Sequence, residues 1–109
     1  MREDLAWAAG LWEGEGCFAC GVAGNASKGR TISAILSMTD QDVVEHFRDV
    51  IGFGKISQPT PSKGHKQAYR WSVHNFEKVQ ALIGYLYPYL GARRREKAAS
   101  VLAHANRQI

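Results

Sequence analysis

Long apolar runs are missing from this sequence: nothing in its 109 residues approaches the ~20 consecutive apolar positions that a membrane span needs. A soluble protein with no membrane partner is therefore expected. Cysteine is scarce too, with only Cys17 and Cys20 present. That leaves no disulfide framework, and without a second cysteine pair or a histidine cluster the C-x-x-C spacing does not complete a zinc site. Residues three apart on a strand point to opposite faces, so the expected pair is two small, semi-buried side chains. Acids are outnumbered, 10 against 14 bases, and the net charge of +4 suggests an anionic partner. The N-terminus MREDLAWAAG sets acids where an export signal would carry only bases, so an intracellular protein is expected. With this length, residues 1–109 are expected to form a single domain around one core.

What the chain does have is an unusual first helix. From Asp4, read as an N-cap, LAWAAGLWEG runs in helical pattern, and the eight residues from Leu5 to Trp12 carry no charge. At ~100° per residue, Leu5, Trp7, Ala8, Leu11 and Trp12 share one side, while Ala6, Ala9, Gly10 and Gly14 share the other. A helix without a polar face must be covered all round, and a small domain has one core to offer. The small-residue side, Ala6, Ala9, Gly10 and Gly14 with Glu13 beside them, is accordingly expected to meet a second copy of the chain.

Gly16 ends that helix. CFACGVAG and RTISAILS read as two strands, joined by the polar turn NASKG. Thr39-Asp40-Gln41-Asp42 has the form of a capping box, and Val43, Val44, Phe47, Val50 and Ile51 follow at helical spacing. After Gly52 and Gly54 a second hairpin is expected, FGKIS and QAYRWSVH. Asn75 then caps a third helix that Pro88 breaks, and a basic helix from about Ala92 to Ala105 ends the chain. The order gives an α+β fold, αββαββα with an extra C-terminal helix: a four-stranded antiparallel sheet backed by helices. Helices cover one side of such a sheet. The other would display Thr31, Ser33, Ser37, Lys55, Ser57, Arg70 and Ser72, with Asn25, Lys28, Arg30, Lys63 and Lys66 toward the hairpin tips. Hydroxyls and bases in that arrangement suit phosphates and base edges of DNA. The first strand's contribution is bland by comparison, Cys17, Ala19, Gly21 and Ala23.

Residues 8–16, Ala-Ala-Gly-Leu-Trp-Glu-Gly-Glu-Gly, resemble the LAGLIDADG motif, with Glu for both Asp residues and Trp for Ile. LSMTDQDVVEHFRDVIGFGKI resembles the second strand, the following helix and the Gly-x-Gly passage to the third strand of that homing endonuclease family. LYPYLGARRREKA resembles the segment before its last helix. The resemblance implies site-specific hydrolysis of double-stranded DNA with a divalent metal, Mg²⁺, whose site Mn²⁺ or Ca²⁺ can also occupy. One motif in one short chain implies the homodimeric branch and a nearly palindromic site.

By matching motif positions, Glu15 is the implied metal-binding carboxylate and the Gly14 carbonyl a backbone ligand. Arg93 matches a basic position near the scissile phosphate, with Lys97 one turn further on. The residues by themselves give a further reason for a cation at Glu15, since a carboxylate at a helix C-terminus is electrostatically unfavourable. Met38 stands where many members place a Gln, and whether Gln41 replaces it is left open. Two alternatives keep other roles in view. A DNA-binding module of the same fold without cleavage would have no need of Glu15, and a dimeric interaction protein that binds no nucleic acid would have no need of the basic tips.

Overall fold

The charge-free stretch from Leu5 to Trp12 lies within helix α1 (Arg2–Glu15) in the computed structural model, which describes residues 2–22 and 30–106, with side chains at 2–19 and 32–104. The helix begins at Arg2, three residues before Leu5, where an Asp4 cap would start it. Glu3 and Asp4 instead fill its first turn, where acids complement the positive end of the helix dipole. Strands β1 (Gly16–Val22) and β2 (Arg30–Met38) follow, then α2 (Gln41–Ile51), β3 (Lys55–Ser57), β4 (Tyr69–Val73) and α3 (Phe76–Leu86). A 3₁₀ turn (Tyr87–Tyr89) at Pro88 leads into α4 (Ala92–Asn106). The α+β reading and its element order hold. No helix among the described residues is long and apolar enough to cross a membrane.

The sheet order is β1-β2-β4-β3, antiparallel throughout. Alternation along the strands sends Phe18, Ile32, Ala34, Leu36, Trp71 and Val73 to the helix side, where all are buried. Trp12 is the hub. Its ring lies 5.1 Å from that of Phe18, 5.9 Å from Phe47 and 6.0 Å from Trp71, centroid to centroid, and it has no exposed surface. Burying aromatics of this size contributes roughly 1.5–3 kcal/mol each. Gly16 owes its place to that hub. A Cβ there would meet the Trp12 ring at 2.1 Å, and the residue has no positive φ, so packing rather than a left-handed cap ends α1.

Two helix starts behave differently. Asn75 Oδ1 accepts from the Lys78 amide at 2.8 Å, the expected cap of α3. Asp40 is the N-cap of α2 by backbone position only: its side chain makes no capping bond, so the capping box is not formed. At the other end of α2, Gly52 (φ 92) closes the helix by donating to the Arg48 carbonyl at 2.7 Å.

On α1 the faces are redistributed. Ala9, expected at a dimer interface, is wholly buried inside its own chain and has no surface to offer a partner. The reason is the angular width of the core contact, which takes in Ala8, Ala9 and Trp12 together. Trp7, expected inside, is instead 37% exposed and packs edge-on to His46 at 4.6 Å. What stays open is a stripe of Ala6, Gly10 and Gly14 flanked by Trp7; a Cβ added at either glycine would find no atom within 4 Å.

Candidate functional site

The sheet side that the helices leave uncovered is arranged in rows by the strand register. Ser37, Arg70 and Ser57 form one, and Arg70 Nε donates to Ser37 Oγ at 3.4 Å. Cys17, Ile35, Ser72 and Lys55 form the next. Ser72 departs from expectation: only 8% exposed, it sits mid-sheet between Ile35 and Lys55 and is shielded by them. Ile35, which polarity alone did not single out, joins Cys17 and Ala19 to make the centre of this face less polar than its margins. Cys17 is exposed and free, where a semi-buried side chain was expected. Lys55, Lys63, Lys66 and Arg70 are exposed, while Ser33, Ser37 and Ser57 are half-buried. Asn25 and Lys28 lie outside the described residues, as do the side chains of Arg30 and Thr31.

At the head of this face α1 runs directly into β1, and Glu15 is the last helical residue. It is exposed and borders a cleft of about 390 Å³ shared with Ser37, Met38, Thr39, Asp40 and Ala68. The polar side-chain atoms lining it are carboxylates and hydroxyls, hard oxygen donors of the kind that Mg²⁺ and Ca²⁺ prefer. Among the described residues no group of three or more His, Cys, Asp or Glu stands together to hold an ion. Met38 is half-buried and packs against the core, leaving no amide in the cleft. Gln41 does not supply one: its Nε2 donates to Glu45 Oε2 at 3.1 Å along α2.

Arg93 and Lys97 are exposed on α4 and line a second cleft, about 270 Å³, with Cys17, Phe18 and Arg94. The structure thus sets the acid and the two candidate bases in neighbouring clefts, on either side of the α1–β1 junction, rather than in one.

Between the clefts run contacts that the sequence did not announce. Arg94 Nη1 donates to the Gly16 carbonyl and Nη2 to the Glu13 carbonyl, both at 2.9 Å. The Glu13 carboxylate accepts from the Gly91 amide at 2.5 Å and lies 3.9 Å from Arg94 Nε. Glu13, for which a structural or an interface role was expected, thus has structural partners within its own chain. Its partners stand about 80 residues away, so no local spacing signals the pairing.

The sequence model of the family described as LAGLIDADG endonuclease matches residues 8–99. No curated protein matches the sequence. Among solved structures, the homing endonuclease I-CvuI, in complex with its target in the presence of calcium, superposes with a TM-score of 0.79. The two are 18% identical over 98% of this chain and 68% of that one. The archaeal intron-encoded homing endonuclease I-Vdi141I, complexed with DNA, gives 0.79 at 18% identity, covering 95% of this chain and 67% of that one. The group I intron-encoded homing endonuclease I-CeuI, also complexed with DNA, gives 0.77 at 16%, covering 94% and 54%. The chain spans roughly half to two thirds of these structures' length.

Proposed function

Because this chain belongs to the LAGLIDADG endonuclease family, we propose that it is a site-specific endonuclease, hydrolysing both strands of a nearly palindromic DNA site as a homodimer with divalent metal. The observation that carries the reading is the position of Glu15, an exposed carboxylate at the end of the motif helix, beside an oxygen-lined cleft at the head of the polar sheet face. A second copy packed on the open stripe of Ala6, Gly10 and Gly14 would bring a second Glu15 near the first.

The chain's own residues divide the work. Lys55, Lys63, Lys66 and Arg70 neutralise backbone phosphates and hold the duplex on the sheet, while Ser33, Ser37 and Ser57 offer hydroxyls to base edges. Arg93 and Lys97, on the far side of the junction, stabilise negative charge that develops on the phosphate under attack. Glu15 and the Gly14 carbonyl would hold the metal ion, Mg²⁺, and Mn²⁺ or Ca²⁺ could occupy the same site. When bound, such an ion lowers the pKa of a coordinated water and offsets charge on the phosphate and the departing oxygen.

One observation favours a second reading. Met38 leaves the cleft without a side-chain amide at the position where the motif resemblance implies one, as a non-cleaving DNA-binding module of the same fold would allow.

Glu15→Gln separates the two. The substitution keeps shape and removes the charge, so cutting should fall by orders of magnitude, each ~1.4 kcal/mol of lost stabilisation being tenfold in rate. Affinity in metal-free buffer should hold or tighten, because the lost carboxylate no longer repels phosphates. Undiminished cutting by the variant removes Glu15 from the chemistry, and a wild-type protein that binds without cutting establishes the non-cleaving reading.

A further inference from the structure

Glu15 stands where α1 turns directly into β1, between two glycines. Gly14 precedes it and Gly16 follows, and glycine has the largest conformational freedom of any residue. The last carbonyls of α1 also lack the usual left-handed cap, since the positive-φ glycines among the described residues are Gly52, Gly54 and Gly64. The strand side of this turn is held by the pairing of Gly16 with Leu36 and by the Trp12 ring, so the placement of Glu15 depends on what holds the helix side to it.

Arg94 ties the two sides together from α4. Its guanidinium spans the carbonyls of Glu13 and Gly16, both at 2.9 Å, and so pins the two ends of the four-residue segment that contains Glu15. It also brings a cation to the negative end of the α1 dipole, where the Glu15 carboxylate adds further negative charge. The contact is reciprocal. Gly91 immediately precedes α4, and its amide donates to Glu13, so α1 holds the start of α4 as Arg94 on α4 holds the end of α1. Arg93 is the residue beside Arg94.

We propose that Arg94 and Glu13 are a positioning pair that sets the placement of Glu15 relative to Arg93, and through it the alignment of both with the phosphate to be cut. The inference rests on the nuclease reading. Neither residue needs to touch DNA. A fork with two donors in one plane is required, so lysine, a point charge on a flexible stem, cannot replace Arg94. Misplacing reacting groups by about 1 Å can cost ~100-fold in rate, which makes a loss of ten- to a hundred-fold the expected scale.

The test uses a duplex recovered from a randomised palindromic library by cleavage with the wild-type protein. If the wild type cuts nothing, the substrate for binding is instead selected from the same library by affinity. Single-turnover cutting at saturating protein, metal-free DNA affinity and Mn²⁺ uptake by the DNA complex, followed by electron paramagnetic resonance, are measured for R94K, E13A and the double variant. R95K serves as the control. Arg95 makes a comparable fork to the Tyr87 and Pro88 carbonyls but does not reach α1.

R94K should stay folded by circular dichroism, bind metal-free DNA within about threefold of wild type, cut ten- to a hundred-fold more slowly and take up Mn²⁺ more weakly. R95K should cut like wild type, and the double variant no more slowly than the worse single one, because the pair acts as a unit. Wild-type cutting by R94K, additive losses in the double variant, or a loss of cutting matched by a loss of metal-free affinity would each overturn the proposal while leaving the nuclease reading intact. A wild-type protein that neither cuts nor takes up Mn²⁺ on DNA removes the nuclease reading, and this proposal with it.

Discussion

Trp71 donates its indole Nε1–H to the Phe53 carbonyl at 2.8 Å, and so pins the Gly-Phe-Gly bend after α2 to the centre of the core. The bend leaves Gly54 directly against the ring. At φ 106 it holds a left-handed conformation, and a Cβ there would meet Trp71 Nε1 at 2.1 Å. Gly52 shares the positive φ, but its Cβ direction is open. Gly52→Ala should therefore cost only the conformational penalty, about 1–2 kcal/mol. Gly54→Ala adds a clash with a packed indole and should cost on the order of 3 kcal/mol or more. Urea unfolding of both variants checks this, and equal losses would mean that the ring does not dictate the glycine.

The two helix caps should also differ. Asn75→Ala removes a hydrogen bond of 2.8 Å to the Lys78 amide and is expected to cost about 1 kcal/mol. Asp40→Ala removes a side chain that caps nothing, so its unfolding midpoint should stay close to wild type. A comparable loss at both positions would show that Asp40 caps α2 in solution.

Gly10 gives a test of self-association that does not depend on activity. Among the described residues, no atom beyond the helix's own adjacent backbone lies within 4 Å of a Cβ placed there, so Gly10→Leu starts from open space in the protomer. If the stripe of Ala6, Gly10 and Gly14 meets a second copy, the variant should sediment as a folded monomer at concentrations where the wild type is dimeric. In a protein that is monomeric anyway, Gly10→Ala would instead stabilise the helix by about 1 kcal/mol. The sign of that change is a second reading of the same question.

DNA affinity should fall linearly on a log–log plot against salt, because phosphate neutralisation releases counterions. Lys55 is exposed and Ser72, its neighbour across the strands, is buried. Lys55→Ala should lower the slope by about one unit. Ser72→Ala should leave slope and affinity nearly as they were, and a large loss there would return Ser72 to the contact surface.

Cys17 is exposed and free, one row in from Arg70 on the uncovered sheet face. Iodoacetamide should label it readily in the free protein and slowly in the DNA complex. Equal labelling rates would place the bound duplex somewhere else.

Much of this protein is legible in its sequence, and the residues show why. Helices and strands followed from local periodicity, from Asn75 as a cap and from glycines after α2, features carried within a few residues of one another. Glu15 was legible through the motif around it, and its position at the end of α1 agrees. Faces were read less well where one angle had to decide between a core and a partner: Ala9 went inward and Trp7 outward. Ser72 alternates correctly along β4, yet burial depends on what stands beside it in β2 and β3, and no single strand carries that information.

Sequence by itself therefore determined the elements, their order, the polar character of one sheet face and the acid at the end of the first helix, because each depends on neighbours along the chain. Only the tertiary structure decided which glycines are forced by an indole ring, which cleft each charged side chain lines, and that Glu13 reaches Gly91 and Arg94 across the fold. Those facts depend on atoms brought together from distant parts of the chain, the contacts of Glu13 and Gly16 with Gly91 and Arg94 each joining positions about 80 residues apart. Such contacts are set by how Trp12, Phe47 and Trp71 fill one core, and not by any local pattern.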